Sequence, residues 1–125
     1  MLARGDSVPH VSFLTTDGRT VSYVDLWQRQ NLILVSLPAD STFRAYGADL
    51  ERDLRSALPT DTSLLISHDV ISDLPAPSIL VADKWGEIHY AHAASDLAEM
   101  PDAEAILEWL TYVRVQCPEC QGEAN

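Results

Sequence analysis

Apolar and polar positions follow two rhythms along this chain. Val11-Ser12-Phe13-Leu14-Thr15 alternates as a half-buried strand does, and Thr16-Asp17-Gly18-Arg19 carries turn residues with a glycine suited to positive φ. Thr20 to Ser22 supplies the returning arm, so a hairpin is predicted, and Tyr23 to Gln28 reads as a short helical turn. Leu32-Ile33-Leu34-Val35-Ser36-Leu37 has no solvent face, which predicts a central strand covered on both sides. The rhythm then becomes helical: Ser41 is the expected N-cap, and Phe43, Tyr46, Leu50, Leu54, Ala57 and Leu58 recur along one face until Pro59. Leu64-Leu65-Ile66 and Ile79-Leu80-Val81-Ala82 predict two further buried strands. Asp83-Lys84-Trp85-Gly86 predicts a turn, and Ile88-His89-Tyr90-Ala91 an alternating return arm. Pro101 suits the first turn of a last helix with the stripe Ala103, Ile106, Leu107, Leu110 and Val113.

This order is a hairpin followed by strand, helix, strand, strand, strand, helix. The helix between the first two core strands is long enough for a parallel crossover, and the closing hairpin adds an antiparallel edge. Composition narrows the field of partners. The chain has 125 residues, 46% of them hydrophobic, with 8 basic against 19 acidic side chains and a formal net charge of −11. One domain over residues 1–116 with a tail over 117–125 is expected. The acidic balance argues against nucleic acid or an anionic membrane as partner, because phosphate attracts Lys and Arg. The apolar run 32–37 is far shorter than the ~20 residues of a spanning helix. Arg4, Gly5 and Asp6 precede any apolar h-region, so no secretory signal is visible and a cytoplasmic location is expected.

A βαβ unit followed by a ββα unit is the thioredoxin-like arrangement: an α/β fold with a central mixed sheet flanked by helices, here with an extra N-terminal β-hairpin. Within it, Gly5-Asp6-Ser7-Val8-Pro9-His10-Val11-Ser12-Phe13, then Asp17-Gly18-Arg19, Val21-Ser22 and Asp25-Leu26, resemble the opening of the peroxiredoxins, the alkyl hydroperoxide reductase and thiol-specific antioxidant family. Pro38-Ala39-Asp40-Ser41-Thr42-Phe43 resembles their active-site loop, in which proline, three residues, threonine and two residues precede cysteine. The resemblance covers residues 5 to 92. It implies a pocket of Pro38, Thr42 and Phe43 whose cysteine position falls on Ala45, so the peroxidatic nucleophile is absent. The arginine that the family places before the third core strand is replaced by Ala76-Pro77-Ser78. Ala76-Pro77 itself resembles the thioredoxin-fold cis-proline, with Pro75 as the competing position.

Cys117-Pro118-Glu119-Cys120 is the one overt chemical motif, and its spacing fits a redox dithiol, half a zinc site or a structural pair. It follows the last helix, whose nearby dipole end is negative; Glu119 and Glu123 add negative charge and Arg114 is the one close cation. Those fields favour protonated, slow thiols. One pair cannot complete a tetrahedral metal site without histidines or a second subunit, so no metal or other cofactor is expected from sequence. His89 and His92 fall on opposite strand faces and read as surface residues, and His10 and His68 as solvated residues near strand ends. Asp96, Glu99, Asp102, Glu104 and Glu108 read as a solvated face, and Trp27, Trp85 and Trp109 as core or edge residues.

Two function classes result. The first is a redoxin-like thiol-disulfide oxidoreductase or antioxidant-type protein in which Cys117 and Cys120 carry the chemistry toward a thiol or disulfide partner protein. The second is a non-catalytic binding module using the groove beside the cis-proline, self-association as a homodimer included, with Phe43, Tyr46 and Trp85 as contacts if exposed.

Overall fold

The computed structural model describes residues 2–69, 71 and 73–115. A hairpin of β1 (Ser12–Leu14) and β2 (Thr20–Ser22) leads through a 3-10 turn at Tyr23–Asp25 into the core. There follow β3 (Asn31–Ser36), α1 (Ser41–Arg55), β4 (Thr62–Ser67), β5 (Ser78–Ala82), β6 (Ile88–Ala93), a 3-10 turn at Leu97–Glu99 and α2 (Ala103–Val115). The core sheet runs β4-β3-β5-β6, with β3 parallel to β4 and antiparallel to β5, and β5 antiparallel to β6. This is the thioredoxin-like α/β arrangement that the hydrophobic pattern predicts, hairpin included.

Every residue of β3 is buried because the strand alternates between two cores. Ile33 and Val35 face Leu50 and Leu54 of α1 and Ile106, Leu110 and Val113 of α2. Leu32 and Leu34 face Val8, Phe13 and Tyr23 of the N-terminal segment. Both helices thus cover one face, and the hairpin layer covers the other. Gly47 lets α1 approach the sheet closely: a Cβ there would lie 3.1 Å from Leu37 Cδ1.

Two helix starts differ from expectation. Asp40, not Ser41, caps α1, its side chain accepting the Phe43 amide at 3.0 Å, because the residue with extended backbone is one position earlier. Asp102 caps α2, accepting the Ala105 amide at 2.9 Å, so Pro101 precedes the helix instead of opening it.

The second difference concerns β6. Ala82 pairs with Ile88 but Val81 with Tyr90, which leaves His89 as the extra residue of a β-bulge. His89 consequently turns inward against α2 and is 6% exposed, where strand alternation predicted a surface residue.

Candidate functional site

The residues expected to form a cradle lie where β3 ends, α1 begins and β5 starts. Pro38 leaves the buried strand half-buried, and the Ala76–Pro77 peptide is cis, with Pro77 buried at the start of β5. Pro77 is fastened from behind, its carbonyl accepting the Ala94 amide at 3.0 Å. Thr42 and Ala45 are exposed on α1, Ala45 standing a full turn beyond the first helical residue. Phe43 and Tyr46 turn the other way and pack on the helix-side core, so they are core contacts and not an open docking face. Trp85 is exposed, but it stands in the β5–β6 turn at the other end of the sheet.

The register sets three serines in a row across this end: Ser67 opposite Ser36, and Ser36 opposite Ser78. All three are fully buried. Ser67 Oγ accepts the Asp69 amide at 3.1 Å, whereas the hydroxyls of Ser36 and Ser78 have no partner among the described residues. An unpaired buried hydroxyl costs on the order of 1–3 kcal/mol. Such a cost persists where a site needs the group.

Ser36 lines a cavity of 630 Å³ together with Leu37, Pro38, His68, Ile71 and Leu74. That volume lies inside the roughly 300–1,000 Å³ range of small-molecule and side-chain pockets. Its walls are mostly apolar, its rim carries Asp69 and Asp73, and among the described residues no Lys or Arg lines it. Arg44 reaches only a smaller neighbouring cleft that it shares with His68 and Asp69. A cleft of 280 Å³ beside β4 is flanked by the ion pairs Arg19–Asp17 and Arg55–Glu51, whose charges already satisfy one another.

His68 is the residue the sequence undervalued. It is half-buried, and its Nδ1 lies 3.2 Å from the Leu37 carbonyl and 3.0 Å from the Pro38 carbonyl. Carbonyls only accept, so Nδ1 carries the proton and donates to both. In the neutral ring Nε2 is then a bare acceptor. A histidine directly after the last residue of β4 gives no periodic signal; only the loop's fold over Pro38 shows its role.

Cys117 and Cys120 lie outside the described residues. The helix leading to them is described, and it points away from the cradle. Arg114 in the last turn of α2 sits 3.3 Å from Asp61, whose carbonyl accepts the Asn31 amide at the start of β3. The cradle is at the opposite end of that six-residue strand, about 17 Å away. The last described turn of α2 therefore lies at the end of the sheet opposite Pro38 and Pro77. Among the described residues no helix is long and apolar enough to cross a membrane.

No family model and no curated protein matches the sequence. Solved structures do match. The chain is similar to a thiol peroxidase from Chromobacterium violaceum (16% identity, TM-score 0.58, 91% of this chain and 89% of that one). It is similar to the thioredoxin domain of a thiol-disulfide oxidoreductase from Bacteroides vulgatus (14%, TM-score 0.58, 90% and 99%). It is also similar to the mitochondrial 2-Cys peroxiredoxin from Plasmodium falciparum (13%, TM-score 0.61, 92% and 99%). Likeness over nearly the whole of each chain at so low an identity establishes one thing: this chain has the thioredoxin fold.

Proposed function

We propose that this chain is a redoxin-like protein in which binding and thiol chemistry have been separated. The face of Pro38, Thr42, Ala45 and Pro77, with Phe43 anchoring α1 in the core behind it, binds a partner without reacting with it. Thiol–disulfide exchange belongs to Cys117 and Cys120. One observation carries the reading: the pocket beside the cis-proline keeps its cavity and a buried hydroxyl unpaired among the described residues, yet no described residue lining it bears sulfur, and the chain's two cysteines follow a helix that ends at the far side of the sheet.

The exchange balances as follows. One tail thiolate attacks a disulfide of the partner protein, forming a mixed disulfide and releasing one partner thiol. The second tail thiolate displaces the other partner sulfur and closes the Cys117–Cys120 bond, so two electrons pass to the partner. The acidic surroundings of the pair make this exchange slow.

Intact-mass measurement after treatment with oxidised or reduced thioredoxin or glutathione tests the redox half. A reversible loss of two hydrogens, abolished by Cys117→Ser, supports it; a pair that cannot be cycled refutes it. Ala45→Cys tests the cradle half, since the exposed position predicts a readily labelled thiol with poor peroxide turnover. Efficient peroxide reduction by that variant would show a competent peroxidatic pocket and overturn the assignment of the cradle to binding.

A further inference from the structure

The turn between β5 and β6 gathers three metal-ligating side chains that the proposed function does not use. Asp83 and His89 are each 6% exposed, Glu87 stands exposed beside them, and one donor atom from each lies within 4.8 Å of the others. His89 Nε2 is 2.9 Å from Asp83 Oδ2 and 3.5 Å from Glu87 Oε2. These spacings bracket the roughly 3.4 Å separation of ligand atoms around a tetrahedral ion with bonds of about 2.1 Å.

The ligands are held in advance. Asp83 Oδ1 accepts the amides of Trp85 and Glu87 at 2.9 and 3.0 Å, which orients Oδ2 toward His89. The bulge in β6 turns the imidazole onto Asp83, and Tyr112 of α2 packs edge-on against its ring at 6.0 Å. Supporting contacts of this kind fix ligand direction in built metal centres.

Electrostatics asks for a cation. Two carboxylates converge on one ring nitrogen, which can carry a single proton. Among the described residues neither carboxylate pairs with Lys or Arg. Lys84 lies over the Trp85 ring at 5.7 Å, and Arg4 donates to the Tyr112 hydroxyl at 3.1 Å. In a chain of net charge −11, nothing among the described residues neutralises the pair except His89, which leaves room for an ion.

We propose that Asp83, Glu87 and His89 bind one divalent cation of the zinc class, with water completing its coordination, and that the ion fastens the β5–β6 turn against α2. One imidazole nitrogen with two carboxylate oxygens is a donor set that zinc accepts.

The test uses the full chain carrying Cys117→Ser and Cys120→Ser, so that tail sulfur cannot contribute. Metal-free protein is titrated with Zn²⁺ by calorimetry and with Co²⁺ by visible absorption. One ion per chain is expected, with cobalt d–d bands and no thiolate charge transfer. Glu87→Gln, at a side chain 59% exposed and so harmless to folding, weakens binding about tenfold or more, while Glu104→Gln on α2 leaves it unchanged. Absence of uptake at millimolar metal, loss of binding once the cysteines are gone, or affinity indifferent to Glu87→Gln each overturns the site.

Discussion

The two ends of the core sheet are built on opposite principles. At the cis-proline end, the hydroxyls of Ser36 and Ser78 are buried without partners among the described residues, and a cavity of 630 Å³ stays open beside Ser36. At the other end, Asp83 spends both carboxylate oxygens on the Trp85 and Glu87 amides and on His89, and Arg114 reaches across to Asp61. Both ends carry buried polar groups; at the second the Asp83–His89 pair satisfies itself, and the Tyr23 hydroxyl beside Gly86 is the one left unpaired among the described residues. Polar groups left unsatisfied beside a cavity mark a place kept for a ligand, whereas satisfied ones hold the fold together.

Cutting the satisfied end produces the largest effect. His89→Ala, measured by urea unfolding in the presence of a chelator, is expected to lose about 3 kcal/mol, since it leaves the buried Asp83 carboxylate without its side-chain partner. A loss under about 1 kcal/mol would erase the contrast between the ends.

Alkaline pH sharpens the comparison by another route. Burial pushes the Tyr23 hydroxyl up to about 12, with the Asp83 charge adding to it, and burial likewise pushes Tyr46 up to about 12. Unfolded tyrosines ionise near 10. The folded state therefore keeps its full advantage below about pH 10 and loses it as pH climbs toward 12. Tyr23→Phe, whose hydroxyl has no partner among the described residues, should shallow that decline with little change at neutral pH. An unaltered alkaline limb would contradict the burial argument.

Smaller effects of opposite sign come from the cradle. Asp40→Ala removes the cap of α1 and should cost about 1 kcal/mol in thermal or urea unfolding. Ser36→Ala deletes an unpaired buried hydroxyl and should gain up to about 1 kcal/mol while weakening whatever the pocket binds. Destabilisation by Ser36→Ala would mean that the hydroxyl is already satisfied, and the kept-open pocket would lose its support.

How much of this could be read from the chain depends on how local each cause is. Continuous burial from Leu32 to Leu37, the helical stripe through Leu50 and Leu54, and the Asp17-Gly18 turn are recorded in short-range periodicity, and the structure shows the elements that they predict. The cis-proline was legible because a proline before a buried strand in this arrangement has a known counterpart, and the peptide at Pro77 is cis. The caps at Asp40 and Asp102 each fell one residue or more from the expected start, since neighbouring residues of similar capping ability compete and backbone geometry selects one.

Histidine was where periodicity failed. His68 gains its fixed proton only because the β4 end folds under the carbonyls of Leu37 and Pro38, some thirty residues away in sequence. His89 gains its burial from a single-residue slip between β5 and β6, which reverses the face that alternation assigns. By itself, then, the sequence determined the elements, their order and the alanine at position 45, because hydrophobic spacing and residue identity are local properties. Only the tertiary structure decided which serines share a row, which nitrogen of His68 is free and which carboxylates meet His89, because strand register and bulges arise from pairing between distant segments.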